Sequence, residues 1–167
     1  MQLARRPAEM SRDEVEAAFR AYWRRGAIDE RWSDWALESF TEDVHYVERI
    51  YGVMRGKAAV HAWIMGVMKT NIHIRALLDW YTIDGARVVL GMTNRYEHPD
   101  GESASFDFAG LTILEYGGDG RFCYEEDWWD LPAAKRCHRE FTEALAVHGP
   151  ERLVEDEARR LARDPWG

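Results

Sequence analysis

The sequence predicts an α+β fold, in which a strongly curved antiparallel sheet wraps over N-terminal helices and forms a cone-shaped α+β barrel. Two observations support this prediction. Apolar residues recur at helical spacing over 11–40 and 57–69, and they alternate as in strands, between tight turns, over 72–129. Helices followed by a run of long strands are typical of α+β domains. The open end of such a cone is a place where a ligand pocket forms.

The predicted helices have recognisable first residues. The stretch Ser11–Glu14 matches a capping box and predicts a helix from there to about Asp29. Ser33 is the expected N-cap of a second, shorter helix. Gly56 precedes a third helix over 57–69.

The predicted strands are separated by turn motifs. Asp84-Gly85 is a two-residue hairpin signal, and Pro99-Asp100-Gly101 and Gly117–Gly120 mark two further turns. A separate early strand alternates so that Tyr46 and Glu48 share one face. The predicted strands are 43–49, 72–82, 87–97, 103–116 and 122–129.

The chain length fits a single domain with one sizeable core. This domain is predicted to cover 11–148, after a disordered segment over 1–10. A C-terminal helical extension over 149–167 contains a charged helix, 151–163, with a thin apolar stripe. The extension is expected to pack on the body or on a partner chain, or to remain solvated.

Composition narrows the classes of partner. The formal net charge is −8 and no basic stripe is present, which argues against nucleic acid as a partner. No export signal, cationic surface helix or membrane-spanning apolar run is found, so a cytoplasmic protein that does not bind membranes is expected. The two cysteines are not spaced for zinc, and no metal site is expected. Eight Trp residues indicate a heavily packed core or the wall of an apolar pocket.

The last strand, "RFCYEEDWWD" over 121–130, contains four acids among aromatic residues. A carboxylate in a core is costly unless it is paired or used. Period two places Glu125 and Asp127 on one face and Glu126 and Asp130 on the other. Both faces carry aromatic residues, so the period alone leaves open which face is internal. If Asp127 faces inward, Glu126 and Asp130 face outward and are solvated.

Two stretches resemble the nuclear transport factor 2-like superfamily, and most closely its SnoaL-like proteins. They are "FTEDVHYVERIYGVMRGKAAVHAWI" and "LTILEYGGDGRFCYEEDWWD", and the resemblance covers 15–131. It implies a pocket for a small hydrophobic substrate and, as is common among relatives, a homodimer. The superfamily includes polyketide cyclases, ketosteroid isomerase, scytalone dehydratase, limonene-epoxide hydrolase and pocket proteins without catalytic activity. The fold alone therefore does not determine the function.

A finer resemblance, to limonene-epoxide hydrolases, implies a set of catalytic residues. Those enzymes place a Tyr and an Asn on the first strand, an Arg-x-Asp pair on a later strand and an Asp on the last strand. Tyr46, Arg95 and Asp127 match in identity, and Glu97 matches the Asp of the pair in charge. Glu48 departs from the pattern, because it stands where those enzymes have Asn.

These residues suit an acid–base addition of water to an epoxide. Arg95 between two carboxylates would keep Asp127 ionised, while Glu97 in apolar surroundings stays protonated. Asp127 would then take a proton from a water held by Tyr46 and Glu48, as Glu97 protonates the ether oxygen. Neither a cofactor nor a metal is required. The alternative is that Arg95 and Glu97 form an exposed ion pair, and that Asp127 only bonds a backbone or indole N–H.

Three other functions stay open. Glu48 lies where ketosteroid isomerase has its proton-shuttling acid, which favours an isomerase, a dehydratase or a polyketide cyclase. A pocket protein that binds a hydrophobic ligand without turnover is the second possibility. The third is a dimerising or partner-binding module anchored by Tyr124 and Trp128 on the outer face of the sheet.

Five further residues are candidates for the wall of the pocket. Scytalone dehydratase-like enzymes have a histidine at the position of His73, although a packed or surface histidine is the open alternative. Thr112 lies near the position of an acid that helps to hold the enolate oxygen in ketosteroid isomerase. The pocket-lining candidates are Trp63, His73, Trp80, Thr112 and Trp129.

Overall fold

The computed structural model describes residues 10–150 and 160–166. These residues contain helices on one side of a single six-stranded sheet, with strand order β2-β1-β6-β5-β4-β3. In chain order the elements are α1 (Arg12–Trp23), a π-helical segment (Arg24–Ile28), α2 (Trp32–Ser39), β1 (Phe40–Glu48), β2 (Gly52–Arg55), α3 (Lys57–Val67), β3 (Ile74–Asp84), β4 (Arg87–Tyr96), β5 (Phe106–Gly118), β6 (Arg121–Trp129) and α4 (Leu131–His148). The predicted α+β class is confirmed.

The sheet is mixed and open, which corrects one detail of the prediction, a purely antiparallel barrel. Strands β3 to β6 form the expected antiparallel meander. Strand β1, however, pairs in parallel with β6, and the unpredicted strand β2 adds to its other edge. The parallel pairing joins two segments that are far apart in the chain, and no local pattern encodes it.

The helix beginnings follow the sequence signals in one case and depart from them in another. Ser11 caps α1 by accepting a hydrogen bond from the backbone N–H of Glu14 at 3.1 Å. Ser33 is not an N-cap, because α2 begins at Trp32 and the Ser33 hydroxyl instead hydrogen-bonds His61 Nε2 at 3.0 Å. The predicted first helix does continue to Ile28, with its last residues in the π-helical segment.

Tight turns set the register of the meander. Asp119 and Gly120 connect β5 to β6, and both have positive φ, at 53° and 73°. An Asp-Gly pair suits this left-handed conformation, because glycine has no Cβ and aspartate tolerates it. The β3–β4 hairpin is also present, although its two-residue loop is Gly85-Ala86, one residue later than predicted.

The two faces of the sheet differ in what covers them. The inner face packs against the helices and contributes Tyr46, Asn94 and Asp127, all buried. The outer face carries their sequence neighbours, among them Arg95 and Glu126. On β4 the alternation is regular: Val88, Leu90, Met92, Asn94 and Tyr96 are buried on the inner face.

The described part of the C-terminal extension packs on the body of the protein. Trp166 contacts Phe19 and Tyr81 edge-on, with ring centroids 5.7 and 6.0 Å apart. Arg163 donates a hydrogen bond to the carbonyl oxygen of Ala27 at 2.8 Å. Residues 1–9 and 151–159 lie outside the described residues. They include all but one residue of the predicted disordered segment and most of the predicted charged helix.

None of the helices in the described ranges is long and apolar enough to cross a membrane. On the outer face, Trp128 is 46% exposed, and the Arg49 guanidinium lies 4.1 Å above its ring. Tyr124 stacks on His45 with centroids 5.7 Å apart. A dimer through these side chains stays a prediction.

Candidate functional site

A cavity of about 620 Å³ lies between the inner face of the sheet and the helices. Aromatic side chains dominate its wall, and the acids of β1 and β6 lie among them. Cavities of this size and apolar character are typical of small-molecule sites. The wall includes Trp35, Tyr46, Trp63, Phe108 and Trp129.

Strand register explains why three acids meet in this cavity. Asp127 of β6 lies beside Glu48 of parallel β1 and beside Thr112 of antiparallel β5. Glu125, two residues earlier on the same face, lies beside Tyr46. The side chains of these five residues therefore form one cluster on the inner face, and all five line the cavity.

Asp127 is at the centre of the cluster. Its Oδ2 accepts a hydrogen bond from the Tyr46 hydroxyl at 2.5 Å, and its Oδ1 accepts one from the Thr112 hydroxyl at 2.5 Å. Burial raises the pKa of Asp127 to about 6; the two hydroxyl donors lower it and the charge of Glu48 raises it further. An acid with a pKa near 6 can both take up and release a proton at neutral pH.

Glu48 is equally buried but bonded differently. Its Oε1 accepts a hydrogen bond from the Trp129 indole N–H at 2.5 Å. Its Oε2 accepts from the backbone N–H groups of Ile50 and Tyr51 at 2.7 and 2.5 Å. Three N–H donors suit a carboxylate, which only accepts, and they fix the β1–β2 turn against the cavity wall.

Glu125 is the third acid and was not among the predicted site residues. Its Oε1 accepts a hydrogen bond from the Tyr22 hydroxyl at 2.8 Å, while its Oε2 makes no hydrogen bond within the described residues. Burial and the nearby charge of Asp127 raise the pKa of Glu125 well above its ordinary value. The period-two pattern of β6 already placed Glu125 on the face of Asp127, and that signal could have found it.

The predicted cluster of Arg95, Glu97 and Asp127 is wrong. Arg95 faces outward and forms a bidentate ion pair with Asp107, at 2.9 and 2.7 Å, directly across the β4–β5 register. Glu97 lies one residue beyond the end of β4 and does not line the cavity. The physical reason is strand parity, because the inner face of β4 carries the even-numbered residues.

Asn94 takes the inner position that the prediction gave to Arg95. It is 3% exposed and lines the cavity, and its Nδ2 makes no hydrogen bond within the described residues. Tyr96 follows on the same face, with its hydroxyl 3.4 Å from His138 Nδ1. The apolar alternation of Leu90 and Met92 predicts this face, so the signal for Asn94 was present in the sequence.

Three of the five predicted pocket-lining residues line the cavity: Trp63, Thr112 and Trp129. His73 does not; its ring packs 5.4 Å from Phe141, and burial lowers its pKa. Trp80 is 50% exposed on the outer face and lies over Gly91, where any Cβ would be 2.3 Å from its Nε1. The predictions for His73 and Trp80 as pocket residues are therefore wrong.

The other two acids of the last strand face away from the cavity, as expected from the inward position of Asp127. Glu126 is paired rather than solvated: Arg49 donates to it, and so does the Tyr124 hydroxyl at 2.6 Å. Asp130 is exposed and caps α4 by accepting a hydrogen bond from the backbone N–H of Ala133 at 3.0 Å. Opposite faces of one strand thus give its acids different surroundings.

Among the described residues, one group of potential metal ligands is found, and it lies outside the cavity. His98, Asp100 and His148 each place a ligand atom within 4.8 Å of the others. The Asp100 carboxylate already accepts hydrogen bonds from the turn residues Glu102 and Ser103. The turn therefore accounts for the position of Asp100.

No protein-family model matches the sequence, and no curated protein matches it. Solved structures do resemble its fold. A protein described as a SnoaL-like polyketide cyclase from Jannaschia sp. CCS1 is 17% identical, with a TM-score of 0.61, over 77% of this chain and 95% of that chain. An LEH-like epoxide hydrolase from M. tuberculosis is 16% identical, with a TM-score of 0.60, over 81% of this chain and 96% of that chain.

A third similar structure is an NTF2-like protein of unknown function from Burkholderia pseudomallei K96243. It is 25% identical, with a TM-score of 0.55, over 77% of this chain and 98% of that chain. The chain therefore has the nuclear transport factor 2-like fold, as its sequence resemblance implied. At these identities the likeness establishes the fold alone.

Proposed function

We propose that this protein is a cofactor-independent enzyme that uses Asp127 to move a proton at a carbon atom next to a carbonyl group. The products would be those of isomerisation, dehydration or cyclisation. The observation that carries the proposal is the state of Asp127: a fully buried acid, held by two hydroxyl groups, with its pKa raised to about 6. Acids with such perturbed pKa values in apolar clefts are concentrated at catalytic sites.

The wall of the cavity favours a flat, apolar substrate. Trp35, Tyr46, Trp63 and Trp129 surround the acids, and the cavity volume of about 620 Å³ suits a molecule of several fused or linked rings. No described basic side chain forms an ion pair with Asp127. A neutral substrate therefore fits the cluster better than an anionic one, which the ionised acids of the cluster would repel.

The proton path follows from the hydrogen bonds. The Asp127 carboxylate takes a proton from the carbon, the electron pair moves to the carbonyl oxygen, and an enolate forms. In isomerisation Asp127 returns the proton to another carbon, and in simple exchange to the same one. In dehydration the enolate electron pair expels a β-hydroxyl group, which takes the proton from Asp127 and leaves as water. In cyclisation the enolate carbon bonds to a second carbonyl carbon, whose oxygen takes that proton. Tyr46 and Thr112 hold the carboxylate in place through each transfer. Asn94 Nδ2 and the Tyr96 hydroxyl are the neutral donors on the wall suited to the enolate oxygen.

Glu48 is less suited to the role of base that its position suggested. Both of its oxygens are committed to N–H donors, which a proton on either oxygen would oppose. Its charge instead raises the pKa of Asp127, which makes Asp127 a stronger base. The proton-shuttle hypothesis is therefore kept, with Asp127 as its centre and Glu48 as a fixed neighbouring charge.

Epoxide hydrolysis is the second candidate function. The observation that favours it is the cluster of Tyr46, Glu48 and Asp127. These residues occupy three of the positions that hold and activate water in limonene-epoxide hydrolases, with Glu48 in place of Asn. The acid that protonates the ether oxygen has no counterpart at Glu97, which lies away from the cavity. Glu125 would have to supply that proton.

A panel of compounds tests both candidates. Flat cyclic ketones are incubated with the protein in D₂O, and deuterium incorporation next to the carbonyl is followed by NMR; aryl epoxides are assayed for diol formation. Asp127→Asn is expected to lower the active rate by about a thousandfold, because the base is lost. Glu126→Gln, one residue away on the outer face, is the matched control and is expected to keep the rate.

Each outcome of the panel decides something. Exchange that depends on Asp127 supports the carbon-acid function, and diol formation without exchange supports epoxide hydrolysis. Tight binding of the ketones without any turnover supports a ligand-binding protein instead. Equal rates for the wild type and Asp127→Asn would contradict the role of Asp127 in either reaction.

A further inference from the structure

We propose that Glu125 is a positioning residue of this site: an uncharged carboxyl group behind Tyr46 that directs the Tyr46 hydroxyl and leaves Asp127 as the acid that ionises. The proposal rests on the role of Asp127 proposed above. In the carbon-acid reaction Glu125 acts through Tyr46 and not on the substrate: it lies in the cavity wall, but its Oε2 has almost no accessible surface.

Geometry places Glu125 next to Tyr46. The two residues are direct partners in the parallel β1–β6 register, and their side chains share the inner face. The Tyr46 hydroxyl donates its only hydrogen atom in the hydrogen bond to Asp127, at 2.5 Å. Its oxygen can therefore only accept a further hydrogen bond. A protonated Glu125 has one O–H to donate, and its Oε1 already accepts from Tyr22. Directed from Oε2, which makes no hydrogen bond within the described residues, to the Tyr46 oxygen, this O–H would complete a hydrogen-bond chain that donates in one direction: Tyr22, Glu125, Tyr46, Asp127.

The surroundings of Glu125 favour the uncharged form. It is 1% exposed. The titratable groups that face it are Tyr22 from α1, Tyr46 from β1 and Asp127 from its own strand, with Glu48 beyond Asp127. All of these are acids, and no described basic side chain forms an ion pair with Glu125. A second negative charge two residues from Asp127 would therefore be strongly opposed.

The direction of these hydrogen bonds affects how the carboxylate of Asp127 is held during the reaction. A tyrosine hydroxyl without a fixed partner for its oxygen rotates between Asp127 and other acceptors. With a carboxylic acid donating to that oxygen, the Tyr46 hydroxyl keeps donating to Asp127, and the carboxylate stays oriented. The strand therefore carries two acids with separate protonation states: one stays neutral and one titrates near pH 6.

Carboxyl NMR tests the proposal without relying on activity. Protein labelled with ¹³Cδ-glutamate is titrated from about pH 5 to about pH 8, and Glu125→Gln identifies the Glu125 signal by its loss. A signal at the neutral carboxyl position throughout this range is expected. In Asp127→Asn the pKa of Glu125 is expected to fall, because the neighbouring charge is removed. A Glu125 signal at the carboxylate position at pH 7 would overturn the proposal.

A pair of variants supplies the functional readout. Glu125→Gln keeps an uncharged donor, so kcat falls several-fold while the midpoint of the acidic limb stays near 6. Glu125→Leu removes the donor, so kcat falls by about a further tenfold and the midpoint moves upward. Should the Glu125→Leu variant fail to fold, Glu125→Gln still decides: a midpoint about one unit lower would mean that a negative charge was removed, and Glu125 would then be an ordinary carboxylate.

The two proposals fail separately. If no compound of the panel turns over, the proposed function fails, yet the Glu125 signal still reports whether the carboxyl is neutral. If turnover depends on Asp127 but the Glu125 signal is that of a carboxylate, only the positioning role is lost.

Discussion

Acidic residues have opposite surroundings on the inner and outer faces of the sheet. On the outer face, Asp107 is held by Arg95 and Glu126 by Arg49, in partly exposed ion pairs. On the inner face, Asp127 and Glu125 are buried with hydroxyl groups as partners. Glu126 and Asp127 are adjacent in the chain, so the face alone separates an ion-paired acid from one whose pKa is raised to about 6.

The acids of the two faces differ in their effect on the stability of the fold. An exposed ion pair contributes little in either direction, about 0–1 kcal/mol. A buried acid without a cation destabilises the folded state whenever it must ionise. A residue that destabilises the folded state without a structural benefit is typically one retained for function.

The largest expected effect is on stability, from Asp127→Asn. The pKa of Asp127 rises from 3.8 in the unfolded chain to about 6 in the fold, so the folded state binds the proton more tightly. Stability is therefore lost as pH rises from about 4 to about 6, by about 3 kcal/mol in total. Asp127→Asn removes this loss and is expected to raise the free energy of unfolding at pH 8 by about 1–3 kcal/mol. Urea unfolding at pH 4 and pH 8 measures it.

The matched outer-face variant sharpens this result. Glu126→Gln breaks a partly exposed ion pair and is expected to lower stability by about 1 kcal/mol or less at both pH values. If Asp127→Asn were the more destabilising of the two at pH 8, Asp127 would be a structural residue.

Glu48→Gln is expected to have the next largest effect, in the opposite direction. The Gln side chain has only one acceptor oxygen, so at least one of the three N–H groups now bonded by Glu48 meets an NH₂ group instead. The free energy of unfolding at pH 7 should fall by about 2 kcal/mol, since hydrogen bonds to a charged group are the stronger ones. Thermal unfolding of the variant and the wild type at pH 7 measures the difference. No change in stability would mean that these bonds are not formed.

A smaller effect is predicted on the pH profile. Activity should rise with pH through about 6, as Asp127 loses its proton. The Thr112 and Tyr46 hydroxyls lower the pKa of Asp127, so Thr112→Val and Tyr46→Phe should each move this rise to higher pH, by about one unit. The profile of kcat/KM against pH measures the shift. A shift to lower pH would contradict the assigned direction of both hydrogen bonds.

The smallest effect is expected on the outer face. Arg95→Ala breaks the bidentate pair with Asp107, whose side chains are 36% and 37% exposed, and should cost less than about 1 kcal/mol. Activity and its pH midpoint should not change. A loss of activity comparable with that of Asp127→Asn would restore Arg95 to the catalytic set.

Much of this contrast could be predicted from the sequence, and one error shows why the rest was missed. Period two correctly placed Tyr46 with Glu48 and Asp127 with Glu125. The resemblance to limonene-epoxide hydrolases placed Arg95 in the site, against the apolar alternation of Leu90 and Met92, which continues to Asn94 on the inner face and places Arg95 outside. Where type and alternation disagree on a strand, the burial of the whole apolar set determines the face.

Other features had no local signal. The parallel pairing of β1 with β6 sets Glu48 beside Asp127, and it depends on contacts across the whole domain. The hydrogen bonds of Glu48 to the turn after β1 arise only once that strand ends at the cavity. Tyr22 reaches Glu125 from α1, 103 residues away in the chain.

The titration of Asp127 itself tests most directly the claim that an acid on the inner face is poised for proton transfer. Protein labelled with ¹³Cγ-aspartate is titrated from about pH 3.5 to about pH 8.5, with Asp127→Asn to identify the signal. A midpoint near 6 is predicted for Asp127. A midpoint at or below 3.8, the ordinary value of an aspartate, would contradict the account.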